Sequence, residues 1–210
     1  MSHSHLPTRL FLLRHGEVEE RYHRVFGGTI DMNLSSRGHE QAAKLAAWLH
    51  PRIPIDAIYV SPMKRAQQTV APLVKATGLA AKTLDGLHEV DFGAWTGHSW
   101  EDVHAKFGVS AFDWLKHMEA HGFPNGESTE QFRGRLAPCL KQIVTEQPGK
   151  SVAIVCHGGV IRMLLAMLLD LRILSMGGFE IDYASATRVD YRELKSEVQF
   201  LNLTPWRDFE

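Results

Sequence analysis

The sequence predicts a layered α/β fold. Three observations carry that expectation. Short apolar runs of strand length alternate with segments whose apolar residues recur at helical spacing. The runs are apolar at nearly every position, as in strands covered on both faces. Two of them end abruptly in polar clusters, Arg14-His15-Gly16 and His157-Gly158-Gly159, at the place where open α/β sheets hold ligands.

The first strand is expected at residues 9–13, around the run Leu10-Phe11-Leu12-Leu13. Ser35 and Ser36 are caps for a helix running to about Leu49, with Ala42, Leu45, Ala46 and Leu49 on one face. Pro51 and Pro54 end it. A second buried strand follows at 57–60. Ser61-Pro62 then opens a helix that carries Lys64, Arg65 and Thr69, with Ser61 as the cap and Gly78 as the stop. A short strand is expected near 82–84. From Phe92 to Thr129 the pattern changes to tryptophans, glycines and short helical stretches, which predicts a helical excursion off the sheet. Residues 129–145 read as one helix, 151–156 as a buried strand, and 158 to about 170 as an apolar helix. Late strands are expected near 179–183, 187–191 and 198–203.

Length bounds the organisation. At about 150 residues per domain, 210 residues make one domain. Twenty-three basic and 24 acidic residues leave a net charge of −1, which argues against nucleic-acid binding through a global basic field. The longest uncharged apolar run is seven residues, Met163 to Leu169, so no membrane-spanning helix is expected. Residues 1–9 show no export signal, and two cysteines, Cys139 and Cys156, make no disulfide framework. Together these give a cytoplasmic expectation.

Five motifs stand in order along the chain: Leu12-Leu13-Arg14-His15-Gly16-Glu17, Leu34-Ser35-Ser36-Arg37-Gly38, Ser61-Pro62 with Arg65 and Thr69, His88-Glu89-Val90-Asp91-Phe92-Gly93, and Cys156-His157-Gly158-Gly159. In this the chain resembles the histidine phosphatase superfamily, which includes the cofactor-dependent phosphoglycerate mutases. The resemblance covers about residues 10–169. It implies a three-layer α/β/α sandwich with a mostly parallel central sheet, in one domain over 1–210 with a small helical cap insertion at about 92–129.

The residues make chemical sense on their own. A phosphoryl group is transferred when a nucleophile, fixed positive charge and a leaving-group acid converge. His15 supplies a neutral ring nitrogen that can form a phosphohistidine. Arg14 and Arg65 present planar forks of donors that match phosphate oxygens. His157, when protonated, adds a donor and a charge, and Gly158 lets the backbone approach an anion. Glu89 is the acid for the departing alkoxide and the base for water, with Asp91 two residues away as the alternative. Phe92 and Trp95 are its expected apolar neighbours. The resemblance assigns the same roles at these positions. Thr69 and Arg37 read as structural.

Three other patterns compete. Gly149-Lys150-Ser151 resembles the end of a phosphate-binding P-loop, but Val144 replaces its first glycine and a strand follows. His117 and His121 have the spacing of a helical zinc pair without a third ligand. Cys156 to Arg162 fits the Cys-x-x-Gly-x-x-Arg loop of cysteine-dependent phosphatases, though Val155 and Met163 depart from it. The preferred reading takes Cys156 as a buried strand residue and Arg162 as a helix residue near the site.

The run Glu89 to Gly97 and the form His157-Gly158-Gly159-Val160-Ile161-Arg162 are similar to the phosphatase branch rather than the mutases. The expectation is a phosphoric monoester hydrolase of the histidine acid phosphatase type, needing no metal and no cofactor. Its substrate would be a small phosphorylated metabolite, with a nucleoside-type phosphate, a sugar phosphate and phosphoserine equally compatible. A phosphoglycerate mutase-type transferase and a non-catalytic phospholigand binder are the alternatives. Many family members carry asparagine six residues after the first histidine, where this chain has Arg21. That residue is expected to bind a second anionic group if its loop folds over the site. No nucleic-acid or membrane partner is expected, and a homodimer is compatible with the sequence.

Overall fold

The computed structural model describes residues 6–209. The N-terminal stretch that showed no export signal therefore lies outside the described residues up to position 5. The elements, in chain order, are β1 (Thr8–Arg14), α1 (Ser36–Leu49), β2 (Ala57–Val60), α2 (Lys64–Thr77), β3 (Ala81–Thr83), α3 (Trp100–Phe107), α4 (Trp114–His121), α5 (Thr129–Glu146), β4 (Ser151–Cys156), α6 (Gly158–Leu168), β5 (Ala186–Arg192), β6 (Lys195–Leu203) and α7 (Pro205–Asp208).

The six strands form one sheet in the order β3-β2-β4-β1-β5-β6. β3, β2, β4 and β1 run parallel, and β5 and β6 close the sheet antiparallel. The alternation of side chains along each strand builds the layers. Leu10 and Leu12 of β1, Tyr59 of β2, and Val152, Ile154 and Cys156 of β4 face one core with α5 and α6. Phe11 and Leu13, Ile58 and Val60, and Ala153 and Val155 face the other, with α1 and α2. The sheet is thus covered on both sides, which is why its central strands are apolar throughout. Each fully buried leucine of β1 stabilises the fold by about 2 kcal/mol relative to exposure.

The helical excursion holds α3 and α4. Its aromatic cluster centres on Trp95, which is wholly buried with Phe26 and Phe123 at 5.3 and 5.0 Å. This cluster is continuous with the core over α6 rather than separate from it.

Ser35 caps α1 by accepting from Gly38 N–H, as expected, and Gly78 ends α2 in a left-handed conformation. Two expectations are corrected. Ser61 does not cap α2, which begins at Lys64; its hydroxyl pairs with His157 instead, and Asp31 accepts the Lys64 N–H at 2.8 Å. Residues 179–183 form no strand. Their backbone groups bond to side chains, Ile181 C=O to Arg14 and Asp182 N–H to Asn202, so no ladder can form.

Candidate active site

Three adjacent strands, β1, β4 and β2, deliver their carboxyl ends to one edge. Arg14 pairs in register with Cys156, and the ladder runs on past both. His15 N–H donates to Cys156 C=O at 3.0 Å, Ala184 N–H donates to His15 C=O at 3.0 Å, and Ser61 N–H donates to Val155 C=O at 3.0 Å. The loop backbones that carry the chemistry are therefore fixed by the sheet itself. Gly16 is required by a close approach: a Cβ there would stand 2.5 Å from Gly38 O, and one on Gly38 would stand 2.0 Å from Glu17 O. Thr69 Oγ1 accepts the Gly16 N–H at 2.9 Å, which gives that residue its structural place.

His15 is buried. Its Nδ1 lies 2.8 Å from Gly16 O, and a carbonyl only accepts, so Nδ1 carries the proton and Nε2 keeps its lone pair. Burial, then the Arg65 and Arg14 guanidiniums, hold this imidazole well below its ordinary value of 6.5. The His157 ring stands 5.2 Å away. Its Nδ1 accepts from Arg65 Nε–H at 3.2 Å, so its proton sits on Nε2, which donates to Ser61 Oγ at 2.7 Å. Burial first, and then the neighbouring cations, also lower its pKa well below 6.5. The charge that a protonated His157 would add is not supplied: its one donor is committed to Ser61, and it sits behind Arg65 as an acceptor.

Arg65 lies on the first turn of α2 and is almost fully buried. Nη1 donates to Ile30 O at 2.7 Å and Nη2 to Gly28 O at 3.1 Å. Of its five N–H donors, three are engaged and two remain. Burial lowers its pKa to about 10, so it stays charged at neutral pH. Arg14 donates to Ile181 O and stacks over the Tyr183 ring at 4.1 Å. Arg162, on α6, donates to Gly158 O at 3.2 Å and Phe179 O at 3.0 Å, and burial lowers its pKa to about 10. The Nε atoms of Arg14 and Arg162 are buried without a hydrogen-bond partner among the described residues. A Cβ on Gly158 would come 3.3 Å from Arg162 and 3.5 Å from Arg14, so glycine there keeps the space between the two guanidiniums open. Guanidiniums with buried, unsatisfied donors are complementary to an anion.

Glu89 faces this group. Its carboxylate accepts from Val90 N–H at 2.9 Å and from Gly159 N–H at 3.2 Å, and a Cβ on Gly159 would meet it at 2.6 Å. Asp91 instead accepts from Gly93 N–H at 2.8 Å and is not among the residues lining the cavity, so geometry favours Glu89 for the acid. Phe92 lines the cavity beside Glu89, whereas Trp95 lies in the aromatic core. The loop around Glu89 is tied down by Arg135 of α5. That guanidinium donates to Gly86 O, His88 O and Glu89 O at 2.7, 2.7 and 3.0 Å and forks onto Glu127, which also accepts Asp91 N–H.

Arg14, His15, Arg65, Glu89 and Gly158 line one cavity of about 510 Å³, and His157 stands directly behind them. Arg21 does not line it. Its side chain is exposed, pairs with Glu19 at 3.1 Å and lies over the Tyr22 ring, so the expected second anion contact is corrected. Cys156 is wholly buried, and burial pushes its thiol far up, so it offers no thiolate nucleophile. The His117 and His121 rings are 5.4 Å apart, and no group of three metal-binding side chains forms among the described residues. Ser61, Tyr183, Arg135 and Glu127 were missed as site residues. Only Ser61 had a signal, its place at the carboxyl end of a buried strand.

The lowered histidine pKa values give an expected pH effect. Below 6.5 the unfolded chain binds protons that the folded imidazoles refuse, so stability falls as pH falls. Each group contributes a slope of up to about 1.4 kcal/mol per pH unit. Urea midpoints measured between about pH 7.5 and 5, in buffer without phosphate, are expected to drop, and added phosphate to offset part of the drop. A midpoint that stays level over this range contradicts the neutral assignment of both rings.

A profile of the histidine phosphatase superfamily (branch 1) matches residues 10–204. Phosphoserine phosphatase 1 of Hydrogenobacter thermophilus is 30% identical over 197 residues, 94% of this chain and 93% of that protein. The adenosylcobalamin/alpha-ribazole phosphatase of Escherichia coli is 27% identical over 195 residues, 92% of this chain and 95% of that protein. The solved structure of a mycobacterial glucosyl-3-phosphoglycerate phosphatase superposes with a TM-score of 0.82 at 27% identity, covering 93% of this chain and 99% of that one. These relatives are phosphatases with three different substrates in their names. No helix among the described residues is long and apolar enough to cross a membrane.

Proposed function

The chain belongs to the histidine phosphatase superfamily, and from that premise we propose that it hydrolyses phosphomonoester metabolites through a phosphohistidine on His15, in the manner of a histidine acid phosphatase. The observation that carries this reading is the state of His15. Its Nδ1–H is committed to Gly16 O, so Nε2 is free, and the residue lines a cavity with Arg14 and Arg65.

Nε2 of His15 attacks phosphorus as the P–O bond to the alcohol breaks. Glu89, entering as the carboxylic acid, gives its proton to the departing alkoxide. Water then attacks the phosphohistidine, Glu89 takes the water proton, and the N–P bond breaks to return His15 and inorganic phosphate. Phosphoryl transfer leaves little covalent work to the protein, so positioning and fixed charge dominate. Arg65 from a buried position and Arg14 and Arg162 from half-buried ones supply that charge. His157 and Ser61 hold Arg65 in line. The steps need no metal.

Hydrolysis of p-nitrophenyl phosphate with a chelator present tests this, together with quenching during turnover to trap a phosphoprotein. Expected are chelator-insensitive turnover and a phosphoryl linkage labile to acid and stable to alkali, as a phosphoramidate is. Turnover lost on chelation, or a phosphoryl linkage that survives acid or is cleaved by alkali, overturns the histidine route. Activity seen only with a bisphosphate primer favours a phosphoglycerate mutase-type transferase instead.

A further inference from the structure

The cavity is much larger than a phosphoryl group needs. Its roughly 510 Å³ lies in the range of sites that enclose a whole organic ligand. The three arginines that line it gather at one end, Arg14 and Arg162 on either side of Gly158 and Arg65 against His157. Away from that end the wall changes character. It is lined by aromatic rings, Tyr22, Trp100, Phe112 and Trp114, over the buried floor of Phe26 and Phe92, with the exposed Arg21 and Arg24 lying over the Tyr22 and Trp100 rings at 4.8 and 5.4 Å. Phe112 is 84% exposed yet sits edge-on to Trp100, with ring centroids 5.6 Å apart. Trp114 sits edge-on to Phe92 at 5.5 Å.

We propose that the alcohol half of the substrate carries a flat aromatic ring system. This rests on the phosphatase reading above and narrows it. Aromatic rings that pack edge to face on one another at the cavity wall are complementary to a further flat ring. A compact alcohol such as that of phosphoserine has no ring to cover this wall and leaves its apolar area in water.

The test compares primary alkyl esters of similar leaving-group basicity, so that only the appended ring differs. Naphthylethyl phosphate is set against ethyl phosphate and phosphoserine. The wild type is expected to show at least tenfold higher kcat/KM for the naphthyl ester, mostly through KM, on the scale of ring stacking on an aromatic side chain. Phe112→Ala, at an exposed position where folding is not at stake, is expected to cut that preference about fivefold or more, and Phe112→Tyr to retain it. Equal or better turnover of ethyl phosphate or phosphoserine by the wild type overturns the inference and leaves the phosphatase reading standing. So does a preference that Phe112→Ala, Trp100→Ala and Trp114→Ala all leave unchanged. No turnover of any ester removes both.

Discussion

His15→Ala is expected to lower phosphatase turnover by about 10⁴- to 10⁶-fold, the scale seen when a nucleophile is removed from an otherwise intact catalytic group. The backbone fixes the free lone pair of this residue: its Nδ1–H is held by Gly16 O, its own N–H by Cys156 O and its own C=O by Ala184 N–H. Arg14 and Arg65 do not depend on the ring for their anchoring, since each bonds to backbone oxygens of other loops. The variant is therefore expected to fold, with an unchanged far-ultraviolet spectrum, and to bind inorganic phosphate in calorimetry within a few-fold of wild type. Turnover within tenfold of wild type would move the nucleophile elsewhere and leave direct attack by water as the mechanism.

Arg135→Met carries the second large expectation, and its effect is on stability. Arg135 and Glu127 are mostly covered, with side-chain exposures of 17% and 14%. Removing the guanidinium strands a covered carboxylate and takes the donor from three carbonyls, Gly86, His88 and Glu89. Breaking one side of such a pair costs about 3–5 kcal/mol. For a chain of this size that corresponds to a melting point lower by on the order of 10 °C. Arg135→Lys separates stability from catalysis. It keeps the charge but cannot span a carboxylate and three carbonyls at once. The loop that carries Glu89 is then loosened while the protein stays folded. Esters with poor leaving groups, which need the acid, are expected to lose kcat by about tenfold or more. Activated aryl esters lose much less. A uniform loss over both kinds of ester would assign Arg135 to the fold alone.

Arg135 also marks the boundary of what the sequence reveals. Nothing in its own neighbourhood, the interior of a helix from Thr129 to Glu146, distinguishes it from a solvated helical arginine. Its partners lie 46 to 49 residues back along the chain and in Glu127 just before the helix. Ser61 misled for a related reason. A serine before proline and a helix is a good cap by local rules, but the carboxyl end of β2 brings it against His157, 96 residues away. Residues 179–183 are apolar enough for a strand, yet their backbone is claimed by Arg14 and Asn202, and Tyr183 becomes the platform under Arg14. Arg21 stands close to His15 in sequence and turns out toward Glu19.

What the sequence by itself determined is whatever local patterning encodes. Strands buried on both faces must be apolar throughout, helices between them must show a stripe, and a loop that leaves a central strand with Arg-His-Gly must carry its polar residues to the edge of the sheet. Those rules placed β1, β2, β4, α1, α5 and α6 within a few residues of where they lie and carried Arg14, His15, His157 and Gly158 to the edge of the sheet, whereas Arg65 and Glu89 were singled out by the resemblance of their motifs to the family. Tertiary structure alone decided the protonation pattern of the two histidines, the choice of Glu89 over Asp91, the tether from Arg135 and the aromatic far wall of the cavity. Each depends on contacts between residues distant in sequence, and a hydrogen bond or a buried charge has its energy only when the fold has brought both partners together and removed the water between them.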